Sequence, residues 1–260
     1  MIRSFLALVI ASSLRAGAPV PLDDVLARTR KQVERFWDQF ASVHCTEVVQ
    51  QTKLGENGKP VLQRQATFDY LVLMQWNDDE LKMEESRVQR GKAAKQADRA
   101  LLTTSGFSTL ILIFHPHFQE SFQFTVGESE DSSRVRVHFT PVHGKRTPAI
   151  LQLRNREYPI EWEGDASIDP ESGVVTRIDA GLSGPLTDVG LERLASSVIY
   201  APFALSSVPE PAWLPQEAII EARTAHQHWI NSHTFSAYKQ FSVTVDSQTV
   251  TPKEQEPKKN

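Results

Sequence analysis

The chain has 260 residues, 40% of them apolar and 23% charged, within the ordinary range of a folded soluble domain and long enough to bury a core in one unit. Its 28 Lys and Arg against 32 Asp and Glu leave a formal charge of −4, which argues against nucleic acid or anionic lipid headgroups as the main partner. The single cysteine, Cys45, rules out an internal disulfide, so the fold must stand on apolar packing.

The first residues, MIRSFLALVIASSLRAGAP, set Arg3 ahead of an apolar run from Ser4 to Leu14. A positive start followed by about 11 apolar residues has the form of a signal peptide, and the run is far shorter than the ~20 residues that span a bilayer. Ala16-Gly17-Ala18 matches an A-x-A cleavage pattern; Pro19 after the cut disfavours it, and Ala11-Ser12-Ser13 is the second choice. Residues 1–18 are therefore expected to be removed on export to the periplasm or beyond, which takes away two arginines and no acid and moves the charge from −4 to −6.

In DDVLARTRKQVERFWDQFASV, apolar Val25, Leu26, Val33, Phe36, Trp37, Phe40 and Val43 recur at three- and four-residue steps behind Asp23 and Asp24. That pattern predicts an amphipathic helix of about five turns with Arg28, Lys31 and Asp38 in water. From Cys45 the period shortens to two. CTEVVQQTKL, a GENGKP turn and VLQRQATFDYLVLMQW predict two strands, with Phe68, Tyr70, Val72, Met74 and Trp76 on one face of the second. NDDE then turns the chain into a third strand, LKMEESRVQRG.

Residues 92–104 are polar and read as a loop or a short helical turn, and SGFSTLILIF is a short buried helix or a strand, since so brief a run has no readable period. Alternation returns with Phe122, Phe124 and Val126, then with Val135, Val137 and Phe139 opposite Arg134, Arg136 and His138. REYPIEWEGDASIDPESGVVTRIDAGL is the clearest hairpin, turning at Asp169–Gly173. Two further apolar runs flank the connector SVPEPAWLP, and residues 247–260 form a polar tail expected to be disordered. The organisation expected is a signal peptide (1–18), one domain (19–246) and the tail (247–260). The fold class predicted is α+β: one long N-terminal helix and about nine to eleven antiparallel strands with a short apolar helix between them, a sheet curled around helical plugs.

Common catalytic signatures are absent from the sequence: G-x-x-x-x-G-K-[ST], G-x-S-x-G, H-E-x-x-H and C-x-x-C. His115 and His117 are the best metal candidates, because residues two apart on a strand share a face. Pro116 between them breaks a strand, and His226 and His228, the other pair so spaced, lie among polar residues, so the expectation is no metal and two histidines at an element's end. Glu85 and Arg87 share a strand face and read as an exposed cross-strand salt bridge. Asp165, Asp169 and Glu171 could collect calcium, but Asp169-Pro170 with Gly173 is explained by a turn. The Cys45 thiol is expected to be buried and inert.

The more telling feature is the supply of aromatic and branched side chains on the strands. Phe68, Tyr70, Val72, Phe122, Phe124, Val137, Phe139 and Trp162 can line one concave surface if the sheet curls, and an apolar groove there would bind an acyl chain. Ten methylenes would supply about 8 kcal/mol before ordering costs. The same side chains also suit an ordinary core beneath the helix.

The signal peptide, the long first helix, the meandering strands, the apolar plug and the hairpin from Gly164 to Ile178 together resemble the lipoprotein-carrier superfamily of LolA, LolB and RseB. Cys45-Thr46-Glu47, FDYLVL (68–73), EESRV (84–88), LIFHP (112–116) and FSAYKQF (235–241) resemble more closely uncharacterised secreted bacterial proteins of that type. The resemblance implies a strongly curved antiparallel half-barrel of about 9–11 strands with a long N-terminal helix and a short apolar plug helix, in a periplasmic, non-catalytic protein with a hydrophobic cavity, and treats LIFHP as a structural signature. The superfamily's lid arginine has no match at any arginine here, and the polar tail departs from the carriers. The expected function is thus an exported monomer, without cofactor, that binds a lipid, acyl chain or lipidated protein. The alternatives are an envelope interaction or sensing module of the same fold with no ligand cavity, and a metal-dependent hydrolase built on His115 and His117.

Overall fold

A computed structural model describes residues 20–77, 80–91, 106, 108–129, 131, 133–153, 156–206 and 208–241. The expected signal peptide, the polar loop at 92–104 and the tail at 247–260 fall outside the described residues.

Helix α1 spans Leu22–Phe40, with Asp23 and Asp24 in its first turn and Val25, Leu26, Thr29, Val33, Phe36 and Phe40 buried along one stripe. It ends earlier than the apolar spacing suggests, because Val43 already belongs to strand β1 (Val43–Leu54). Arg28 is not in water: its Nη1 donates to the Pro170 carbonyl at 2.7 Å, and Gln32 donates to Ser172 O at 3.0 Å. The helix is thereby seated on the tip of the Gly164–Ile178 hairpin.

The remaining strands are β2 (Pro60–Asn77), β3 (Glu80–Gln89), β4 (Phe122–Gly127), β5 (Val135–Pro141), β6 (Ile150–Leu153), β7 (Arg156–Pro159), β8 (Trp162–Ile168), β9 (Val175–Leu182), β10 (Leu191–Phe203), β11 (Ala212–Thr224) and β12 (His228–Gln240). Ten of them form one open sheet in the order β3-β2-β1-β12-β11-β10-β9-β8-β5-β4, with every pairing antiparallel, and β6 and β7 make a separate hairpin. With one long helix against it, this is the α+β open half-barrel.

Strand alternation assigns the two faces. Val43, Cys45, Glu47, Val49 and Gln51 of β1 are buried while the residues between them are at least partly exposed, and β8, β9 and β10 alternate likewise. The convex face carries ion pairs instead, Arg136–Asp165 and Arg177–Asp179 at 2.6 Å and His228–Glu221 at 2.8 Å.

Because β3 and β4 lie at opposite edges of the sheet, the chain between them has to pass from one edge to the other. The described part of that connection, from residue 108 on, lies on the concave side. Leu110–Phe114 form a 3-10 turn whose five side chains are all buried, and Pro116–Gln119 add a short helix, α2. These residues pack between α1 and the sheet and serve as the plug.

Two glycines fix close approaches. A Cβ at Gly164 would lie 2.0 Å from the Asp179 carbonyl oxygen on the neighbouring strand. Gly173 has φ +75°, and a Cβ there would lie 2.4 Å from the Arg28 carbonyl carbon. In the turn itself Asp169 Oδ1 accepts from Glu171 N, Ser172 N and Ser172 Oγ at 2.9–3.1 Å, while Oδ2 pairs with Arg134 at 3.0 Å.

Candidate functional site

Of the eight aromatic and branched residues expected on one concave surface, seven belong to or pack against the core cluster that also holds residues of α1 and the plug, while Phe68 is buried outside that cluster. Phe68, Tyr70 and Val72 of β2 stand near one edge. Tyr70 packs on Phe235 with ring centroids 5.3 Å apart and shares a 2.8 Å hydrogen bond with Ser108 at the start of the plug. Near the other edge Phe122, Phe124, Val137 and Phe139 gather around Phe114, whose ring centroid lies 5.3 Å from Phe124 and 6.1 Å from Phe139. Trp162 of β8 is fully buried on the same side. Seven of the eight are buried, and Phe124 is half-buried. The described apolar wall is therefore covered, with α1 and the plug as its cover.

His115 and His117 take no part in the wall. The extended conformation expected of the residue before a proline makes His115 the N-cap of α2, where its Nδ1 accepts from His117 N at 3.2 Å and its ring lies 5.9 Å from Trp37. Arg146 Nη1 donates to His117 Nε2 at 2.5 Å. Burial depresses the His115 pKa. Among the described residues no three His, Cys, Asp or Glu side chains gather in a way that would hold a metal ion.

Glu85 and Arg87 depart from expectation. They are not an exposed pair: their side chains are 4% and 10% exposed, and they meet a third charge, Glu47, that is fully buried. Register explains this, since Arg87 of β3 lies opposite Tyr70 of β2, which lies opposite Cys45 of β1, with Glu47 next on the same face of β1. Arg87 Nε and Nη2 donate to Glu47 Oε2 and Oε1 at 2.6 and 3.1 Å, a bidentate pair. Arg87 Nη1 lies 2.6 Å from Glu85 Oε2, an ion contact rather than an aligned hydrogen bond. The guanidinium also lies 4.7 Å from the Tyr70 ring centroid. On the other side His233 Nδ1 and Glu47 Oε1 share a 2.7 Å hydrogen bond, and Gln51 Nε2 donates to Asn231 Oδ1 at 3.2 Å.

Burial alone would raise the Glu47 pKa, but hydrogen bonds from His233 and Arg87 outweigh it and hold the carboxyl below the usual glutamate value. Desolvation would lower the Arg87 pKa; Glu85 and Glu47 reverse that and raise it. Burial pushes the Cys45 thiol up to about 12, in keeping with an inert sulfur. The concave face thus carries apolar side chains of β4, β5 and β8 and of β2, and the latter adjoin a buried charged cluster on β1, β3 and β12. One carboxylate, Glu47, fastens those three strands. The sequence carried a signal for the cluster, in that Glu47 stands between apolar Cys45 and Val49 in the inward alternation, but its partners are 40 and 186 residues away.

A separate cleft of about 680 Å³ opens on the other side of the sheet over β9, β10 and β11, beside Asp179, Gly181, Ser197, Ile219 and Glu221. Its carboxylates are already paired, Asp179 with Arg177 and Glu221 with His228 and Arg193.

No protein family matches the sequence, and no curated protein does. The chain is similar in fold to a LolA superfamily protein from Nitrosomonas europaea, with 8% identity, 84% of this chain and 94% of that chain covered, and a TM-score of 0.42. It is also similar to a DUF1329 family protein from Desulfovibrio piger, with 11% identity, coverage of 86% and 96%, and a TM-score of 0.42. Identities this low give no residue-to-residue correspondence. No helix among the described residues is long and apolar enough to cross a membrane.

Proposed function

We propose that the protein is an exported, non-catalytic half-barrel that holds a hydrophobic chain, a lipid tail or the acyl chain of a lipidated protein, against its concave wall in exchange for the plug. What supports this reading is that the wall is covered by a segment outside the sheet: Leu110–Phe114 places five buried apolar side chains on it while forming no strand. The ligand contacts would come from Phe68, Tyr70, Val72, Phe122, Phe124, Val137, Phe139 and Trp162.

Magnitudes set the terms of the exchange. Exposing five large apolar side chains at about 2 kcal/mol each costs roughly 10 kcal/mol, as much as the whole stability of a typical domain. The plug therefore does not leave an empty wall behind it. A chain of about 14 methylenes at ~0.8 kcal/mol each returns roughly 11 kcal/mol, whereas six methylenes return only about 5. Long chains can replace the plug and short ones cannot.

The test is titration with fluorescent fatty acids. A hexadecanoic probe should bind and an octanoic probe should not, and Phe124→Asp, at the half-buried mouth of the wall, should weaken the long-chain probe about tenfold or more with an unchanged circular dichroism spectrum. Absence of long-chain binding, together with bare polypeptide in native mass spectra of protein purified from its own envelope, would overturn the proposal. Those outcomes would favour the second reading, an envelope interaction module with a filled core, which the burial of seven of the eight wall residues supports.

A further inference from the structure

The buried charges and the plug are not independent. Glu85 Oε1 accepts a hydrogen bond from the Gly106 backbone N–H, while its Oε2 contacts Arg87, which Glu47 holds in place. Tyr70, whose ring lies under the same guanidinium, shares its hydroxyl with Ser108. Thr109 Oγ1 lies 3.0 Å from Gly106 O and 3.1 Å from Met83 Sδ on β3. Gly106 has φ +83°, the left-handed region that favours glycine, so the chain turns sharply just where it is fastened. Past this point the attachment changes character. Ile111 N–H donates to the Tyr200 hydroxyl at 3.1 Å, and Leu112, Ile113 and Phe114 lie in the apolar core.

We propose that Glu85, positioned by Arg87 and Glu47, is a latch that holds the plug closed about a hinge at Gly106, so that access to the apolar wall is governed from the charged end of the sheet. The latch rests on the reading that plug and ligand exchange, and supplies that exchange with its control. Apolar contacts are non-directional and tolerate sliding, whereas the buried Glu85 carboxylate keeps its energy only while the Gly106 N–H and the Arg87 charge both stay in place. Whatever draws Glu85 off Gly106 removes this tie to a charged group and leaves residues 108–114 held by their packing and by the hydroxyls of Tyr70 and Tyr200.

The test is amide hydrogen exchange on the full chain without ligand, following the Leu112 and His115 amides, which donate to Thr109 O and Leu112 O at 2.9 Å. In Glu85→Gln these two amides should exchange about tenfold faster or more, while core-strand amides such as Val137 and Ile178 keep their wild-type rates. Tyr70→Phe, which removes only the hydroxyl, should accelerate the same two amides to a smaller extent. No acceleration in either variant overturns the latch, and so does equal acceleration of Val137 and Ile178, which would mark the cluster as a general contributor to stability. A hexadecanoic probe separates the latch from the reading beneath it. Selective acceleration with tighter probe binding in Glu85→Gln supports both; selective acceleration with no probe binding in any form supports the latch and removes the groove.

Discussion

Glu47 has no exposed surface, yet it stands in a strand whose other inward residues include Val43, Cys45 and Val49. A lone carboxylate there would be costly; Arg87 and His233 make it tolerable by occupying both oxygens. Its folded pKa lies below the ordinary 4.5, so its contribution to stability is complete above that value and is lost as pH falls through the folded one. The urea midpoint of the wild type should therefore decline on acidification below about pH 4.5, and decline less in Glu47→Gln, as unfolding curves at several pH values would read. Equal slopes for both proteins would show that other carboxylates dominate. From the sequence, Glu85 and Arg87 could be placed on one face but not indoors, because burial depends on what lies across the sheet. Gly164 is similar: the turn at Asp169–Gly173 was legible from residue types, whereas the need for a glycine at 164 arises from a backbone approach by Asp179.

At the level of elements, α1 and the plug show how far periodicity reaches. The helix buries one stripe and leaves the other face wet, so its 3.6-residue period was readable, apart from an end set by where β1 begins. The plug is buried on all sides, between α1 and the sheet, and an element with no wet face has no period to read. Helix and strand were equally consistent with LILIF, and the structure makes it a 3-10 turn. If the plug is part of the cooperative core in the resting state, Leu112→Ala should lower unfolding stability by about 2–5 kcal/mol in urea. A change under about 0.5 kcal/mol would mean that the plug is already loose at equilibrium. His115 and His117 belong to this element too, as N-cap and Arg146 partner, and among the described residues no group of three His, Cys, Asp or Glu that could hold a metal ion includes them.

For the whole molecule, the open sheet has its sequence-distant ends together, β1 beside β12, and its edges at β3 and β4. Two meanders, β1 to β3 and β8 to β12, follow chain order and were legible as alternating runs separated by turns. The β1–β12 ladder, from Val43↔Gln240 to Leu54↔His228, joins them into one sheet. Residues 19–246 expressed alone should accordingly unfold in a single transition, with coincident far-ultraviolet circular dichroism and tryptophan fluorescence curves. Two separated transitions would break the single-domain assignment.

Local patterning by itself determined the class of the protein: an amphipathic helix, many antiparallel strands with one apolar face, an apolar plug, and a turn at Asp169–Gly173, because each depends on residues near one another in the chain. Tertiary structure alone decided that the plug crosses from one sheet edge to the other over the aromatic wall, that Glu47, Glu85, Arg87 and His233 meet inside, and that the wall is covered rather than open. Those outcomes are set by register between strands tens to nearly two hundred residues apart, and a one-residue slip of any strand would have turned every one of its side chains to the opposite face.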